Sequence, residues 1–155
     1  MVVRVQSADF DVGAEITALT AGRTDIGAIV TFTGLVRGEA HGKLLASMTL
    51  EHYPGMTEAE LSRVEQQARA RWTLQAILIV HRIGRLLPGE NIVLVVAASL
   101  HRHAAFDAAS FLMDYLKNRA PFWKRELAVD GSGGWVDARE SDDVAMQRWS
   151  KGPAG

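Results

Sequence analysis

The sequence predicts an α+β fold, in which antiparallel strand pairs alternate with single helices in the order ββαββαββα. Three observations predict it. The apolar runs AILIVHRIG (76–84) and NIVLVVAAS (91–99) have strand length and are joined through a Pro-Gly turn, as an antiparallel pair requires. Residues 58–71 and 102–118 instead carry apolar positions at steps of three and four. Near the carboxyl end, DGSGG (130–134) separates two short strand-like runs, as a hairpin turn does.

Taken in order, IGAIVTFT (26–33) is rich in β-branched and aromatic residues and runs into Gly34, a strand entering a turn. GEAHGK (38–43) is a polar loop, and LLASMTLEHY (44–53) is the second strand. Thr57 and Glu60 have capping-box spacing, and Leu61, Val64, Ala68 and Trp72 share one face of the helix that follows. Beyond the central strand pair, Phe106, Ala109, Met113 and Leu116 mark the buried face of the second helix, which Pro121 ends. Trp123 to Val129 and Trp135 to Ala138 form the last hairpin. SDDVAMQRW then closes the fold as a short helix, with Ser141 as its cap and two acids in the first turn, where the dipole favours them. Residues 1–150 are expected to form a single domain and KGPAG (151–155) a frayed tail.

The 155 residues are 48% hydrophobic and 23% charged, enough for one sizeable core and too few for two. Cysteine is absent, which removes disulfides, thiolate metal clusters and a cysteine nucleophile. Covalent chemistry is left to lysine, hydroxyl, histidine or carboxylate groups. No apolar run approaches the ~18 residues that span a bilayer, and Arg4 and Asp9 interrupt the amino-terminal segment, so a cytoplasmic protein with no membrane partner is expected. A formal net charge of −1 argues against nucleic acid as a partner. Against that background, FLMDYLKNRAPFWKRE (111–126) gathers Lys117, Arg119, Lys124 and Arg125 around an Ala-Pro-Phe-Trp elbow.

Two groups of residues can carry chemistry. His101, Arg102 and His103 stand where the second helix begins, so their charges oppose the helix dipole, and an anion such as phosphate would resolve the conflict. The plainer reading has His101 and Arg102 solvated or paired with carboxylates. Two histidines one residue apart, with no third ligand, are a weak metal signal, so no metal is expected. Lys117 suits the carboxyl end of a helix for purely electrostatic reasons. Lys124 follows two large aromatics, and crowding among neighbouring cations favours the neutral amine, a nucleophile or base. Against this stands simple strand alternation, with Phe122, Lys124 and Glu126 on one face and Trp123 and Arg125 on the other. Arg37 and Arg139 each follow a strand, and their interest depends on convergence with the other cations.

The strings VTFTGLVR (30–37), LEHYPGMTE (50–58), HRIG (81–84), His101-Arg102, FLMDYLKNRAPFWKRE and WVDARESD (135–142) closely resemble the MoaE family, the large, catalytic subunit of molybdopterin synthase. The resemblance implies an α/β hammerhead fold with an additional antiparallel β-subdomain. It implies a sulfurtransferase of molybdenum cofactor biosynthesis, which converts cyclic pyranopterin monophosphate into molybdopterin by installing two dithiolene sulfurs. The sulfur donor it implies is a small ubiquitin-like subunit whose carboxy-terminal Gly-Gly carries a thiocarboxylate. The large subunits are expected to form a homodimer within a heterotetramer, with no resident cofactor. Carried over by motif, Lys117 and Lys124 correspond to catalytic lysines. Leu35, Val36, Arg37, His101, Arg102, Arg125 and Glu126 correspond to substrate-binding positions beside them, and Arg139 to a further pocket residue. The lack of cysteine agrees with a sulfur carried on the partner. Two other readings of the basic cluster compete: a noncatalytic module that docks an acidic peptide or RNA, and a phosphate-ester hydrolase, which lacks an evident nucleophile.

Overall fold

The computed structural model describes residues 2–136 and 140–150. Its first two elements, β1 (Val2–Gln6) and α1 (Val12–Thr20), precede any the sequence pattern marks. Asp11 caps α1 by accepting from the Ala14 N–H at 2.9 Å. Strand β1 gains its pairing from a segment more than seventy residues away, Val2 lying beside Leu78 and Gln6 beside Arg82 in parallel, which no local pattern reveals.

Strand β2 (Ala28–Leu35) leads to β3 (Glu39–Ala40) and β4 (Lys43–His52). The expected 38–43 loop is therefore a small hairpin. Its two turn residues, His41 and Gly42, take φ of 53° and 75°, the left-handed pair that a two-residue turn between right-twisted strands needs. Helix α2 (Met56–Arg71) begins earlier than expected. Its cap is Gly55, whose N–H donates to the Glu58 carboxylate at 2.7 Å. Thr57 is instead buried in the first turn, its hydroxyl donating to the Tyr53 carbonyl at 2.9 Å, so the Thr57–Glu60 box does not form.

The remaining elements are β5 (Ala76–Arg82), β6 (Gly84–Leu86), β7 (Asn91–Ser99), α3 (Arg102–Asn118), β8 (Phe122–Ala128), β9 (Gly133–Val136) and α4 (Glu140–Gln147). Because α4 starts at Glu140, Ser141 lies inside the helix and is not its cap. The expected strand end at Ala138 and the expected tail at 151–155 lie outside the described residues.

Two sheets result. The first has the order β1-β5-β7-β2, with β5–β7 and β7–β2 antiparallel. Helices α2 and α3 cover one face through Leu61, Val64, Ala68, Phe111 and Leu112 against Ile77, Ile79, Val93 and Val95. Phe10 and the α1 residues Val12 and Leu19 cover the other, against Leu78, Val80, Leu94 and Val96. Being buried on both faces, β5 and β7 read as continuous apolar runs without alternation. The second sheet has the order β3-β4-β8-β9, with β6 also on β4, and supplies the antiparallel β-subdomain of an α+β hammerhead architecture. The chain passes from the first sheet to the second at Gly84, where a φ of 89° turns β5 into β6.

The buried face of α3 is not quite the expected one. Ala105, Ala108, Ala109, Phe111, Leu112 and Leu116 are buried, whereas Phe106 is 61% exposed. Alanines let the helix approach the sheet closely, and fully buried Phe111 fixes its seating by packing edge-on against Trp72 and Trp149 at 5.5 and 5.4 Å. That seating sets where the last turn of α3 projects.

Gly133 provides a direct test of the second sheet. A Cβ at Gly133 would sit 2.1 Å from the Glu126 carbonyl oxygen, whereas one at Gly134 would meet nothing within 4 Å. Gly133→Ala should therefore cost ~1–3 kcal/mol in urea denaturation, while Gly134→Ala stays within ~0.5 kcal/mol of wild type. Equal stabilities for the two variants would contradict the close β8–β9 packing.

Candidate functional site

A cavity of about 430 Å³ opens where the first sheet, the end of α3 and one face of the second sheet meet. Strand alternation turns Phe122, Lys124 and Glu126 of β8 toward it. Their cross-strand neighbours point the same way: Met48 lies opposite Glu126, and Leu50 and Val136 flank Lys124. Lys117 enters from the last turn of α3, beside Met113 and Leu116. Two lysines separated by the Pro121 elbow thus converge from different elements.

The charges are arranged, not crowded. Lys124 Nζ lies 3.8 Å from Glu126 Oε1, and the other oxygen of this buried carboxylate lies 3.9 Å from His41 Nε2 at the hairpin tip. Arg119 leaves the helix at its carboxyl cap and is exposed. Arg125 takes the opposite face of β8, its guanidinium 5.8 Å from the centre of the Trp135 ring. The repulsion expected from adjacency in sequence is eased because Arg119 and Arg125 are turned away from the cavity and Lys124 has Glu126 beside it.

On the far wall, register slips between Gly34 and Leu35 at the end of β2. A Cβ at Gly34 would come within 2.9 Å of Val93 Cγ1, so glycine lets the strand end lie close to β7. Leu35 and Arg37 line the cavity beyond that slip. Val36 does not: it is buried with Met48, Leu50 and Leu86, and its backbone donates to the Glu90 carbonyl at 2.9 Å and accepts from Gly89 at 2.7 Å. It supports the wall from beneath.

Of the positions marked in the sequence, the cavity collects Leu35, Arg37, Lys117, Lys124 and Glu126. Arg125 points away. His101 and Arg102 stand exposed at the other end of α3, about 22 Å along the helix axis from Lys117 at 1.5 Å per residue. No carboxylate occupies the first turn of α3. Arg139 lies outside the described residues. Among the described residues there is no group of three or more side chains able to hold a metal ion. No helix among them is long and apolar enough to cross a membrane.

The cavity also contains a histidine that is not among the site residues marked in the sequence. His81 is only 8% exposed and lies face to face with Phe122, ring centres 3.7 Å apart and planes 15° from parallel. Its Nδ1 is 2.8 Å from the Arg82 carbonyl. Burial pushes the imidazole down to about 4, opposed by that hydrogen bond and aided by the positive charge of Lys117. The signal was present as a single imidazole in a strand otherwise fit for burial on both faces. Beside the cavity, a second and more open depression of about 500 Å³ runs between His41 and the Gly133–Val136 edge, sharing Glu126 and Val136 with the first.

The family model described as MoaE protein matches residues 5–119. The molybdopterin synthase catalytic subunit of Mesorhizobium japonicum is 61% identical over 148 residues, covering 95% of this chain and 92% of that protein. The molybdopterin biosynthesis MoaE protein of Burkholderia ambifaria superposes with a TM-score of 0.81 at 49% identity, covering 96% of this chain and 97% of that one. The molybdopterin synthase structure from Staphylococcus aureus gives a TM-score of 0.78 at 28% identity, with 86% and 95% covered.

The low affinity of His81 for protons has a consequence for stability. The unfolded chain takes up a proton near the ordinary value of 6.5, the folded chain only near 4. The contribution is therefore fully present above 6.5 and is lost as pH falls from 6.5 through 4, by ~2 kcal/mol at pH 5. Urea denaturation of wild type and His81→Gln between pH 7.5 and 5 should show the wild type losing that much more. Parallel curves would contradict it.

Proposed function

Since the chain belongs to the MoaE family of molybdopterin synthase catalytic subunits, we propose that its cavity is where sulfur passes from a thiocarboxylated small subunit to cyclic pyranopterin monophosphate. The observation that carries this reading is the convergence of Lys117 and Lys124, from α3 and β8, on one cavity that also holds Arg37 and Glu126. The substrate's cyclic phosphate and the partner's terminal thiocarboxylate are both anionic, and fixed cations stabilise the negative charge that develops as sulfur adds to the ring. An amine can also move a proton as oxygen leaves. Two transfers supply the two dithiolene sulfurs, each leaving the carrier with a terminal carboxylate. With no cysteine in the chain, the sulfur has no thiol here on which to rest.

The depression between His41 and the Gly133–Val136 edge is the approach we assign to the partner's Gly-Gly tail, since it reaches Glu126 from outside. The working unit in this reading is one domain over residues 1–150, a homodimer within a heterotetramer, in the cytoplasm. A homodimer also accounts for His101 and Arg102: about 22 Å from the lysines of their own chain, they serve the substrate's phosphate in the cavity of the other copy. A helix start with exposed N–H groups and an arginine fork suits that anion.

Incubation with thiocarboxylated small subunit and cyclic pyranopterin monophosphate should yield the dithiolene product, and the chain with free sulfide should not. Lys117→Arg and Lys124→Arg keep the charge but replace the amine with a larger, permanently protonated plane, so each should lose about a hundredfold or more in turnover while still binding the small subunit. Near-normal turnover in both arginine variants would leave the cavity an electrostatic docking site only.

Mixing tests the shared cavity. Lys117→Ala and Arg102→Ala chains, each strongly impaired alone, should recover about a quarter of wild-type activity when dissociated and reassociated in equal amounts, because half the dimers are mixed and each carries one intact site. No recovery would return His101 and Arg102 to the role of solvated surface residues.

A further inference from the structure

We propose that His81 orients the substrate, its Nε2 accepting a hydrogen bond from a ring N–H of the reduced pterin; this rests on the reaction assigned above and adds a residue to it. The tautomer follows from geometry. The Arg82 carbonyl can only accept, so the proton of the neutral ring lies on Nδ1 and the lone pair on Nε2. Nε2 bonds to none of the described residues and is not sealed away as a buried unpartnered atom, so it opens onto the cavity that the ring lines. Its direction is fixed by the backbone bond on one side of the ring and the Phe122 stack on its face.

The cavity needs such a group. Its cationic side chains, Arg37, Lys117 and Lys124, can only donate, and they suit the phosphate and the thiocarboxylate. A pterin ring brings N–H donors that lose water on entry and need acceptors in exchange. Among the described side chains lining the cavity, the nitrogen and oxygen acceptors belong to Glu126 and His81. Glu126 already faces Lys124 at 3.8 Å and His41 at 3.9 Å. His81 is the uncommitted one, and it is uncharged at neutral pH because burial holds its proton affinity low. An uncharged acceptor recognises the ring without drawing the phosphate's counter-charges toward it.

The test uses the complex with thiocarboxylated small subunit. His81→Leu keeps the volume and removes the acceptor, and should raise KM for cyclic pyranopterin monophosphate about tenfold, as loss of one such hydrogen bond would. Affinity for the small subunit should not change. His81→Gln, which retains an acceptor near the same place, should recover most of the KM. A folded His81→Leu complex with wild-type KM would overturn the proposal. Nitrogen-15 spectra of histidine-labelled wild type supply a readout that needs no variant: the Nε2 resonance should move as substrate saturates the site, while Nδ1–H stays bonded. An Nε2 resonance unmoved by saturating substrate would equally overturn it. If substrate binds with the Nε2 shift but no dithiolene forms, the assigned reaction fails and the role of His81 stands.

Discussion

Six cross-strand pairs, from Ala76 opposite Ala98 to His81 opposite Val93, hold β5 against β7 in the middle of the first sheet. Both strands are covered on both faces, so their side chains have no solvent-facing alternative, and a slip of register would disturb two cores at once. This pair positions the rest. Helix α3 packs on it through alanines and Phe111, which sets the height of Lys117. Strand β2 adds to the β7 edge and brings Leu35 and Arg37 to the same end. At the end of β5, Gly84 sends the chain into the second sheet, where β4 aligns β8 and with it Lys124. The cavity is the space left where one sheet gives way to the other.

That geometry explains how a nearly neutral chain concentrates positive charge without losing stability to repulsion. Lys117 and Lys124 are seven residues apart in sequence, but one ends a helix and the other lies within a strand beyond Pro121. Glu126 sits on the same strand face as Lys124, two residues on, and gives it a counter-charge. Arg125, between them, is turned to the opposite face and settles on Trp135. The exposed Trp123 and Trp135 both have partners at the surface: one packs edge-on with Tyr53 at 4.6 Å and the other carries the arginine.

Much of this was legible in the sequence where the signal was local. The β7 and α3 boundaries follow from continuous apolar character and helical spacing, and the alternation of β8 correctly separates Lys124 from Arg125. What escaped depends on distant partners. Strand β1 owes its existence to β5, and apolar spacing in α3 does not reveal that Phe106 is exposed, because the small alanines are the residues buried against the sheet. Thr57 has cap spacing to Glu60, but spacing does not reveal that Gly55, with positive φ, and Glu58 serve instead. Motif resemblance carries no distance: His101 and Arg102 stand about 22 Å from Lys117 along the same helix, and only the fold shows that separation. His81 is obscured for a different reason: it is a polar residue inside a strand that otherwise reads as buried core.

In the proposed reaction this cavity, between Lys117 and Lys124, receives the phosphorylated pterin. The decisive measurement is a crystal structure with cyclic pyranopterin monophosphate bound. The pterin ring should lie inside the cavity, with the lysine ammonium groups on opposite sides of it and the phosphate within about 4 Å of a cationic side chain. A substrate bound outside the cavity, with both lysines beyond reach of it, would contradict that role for the cavity.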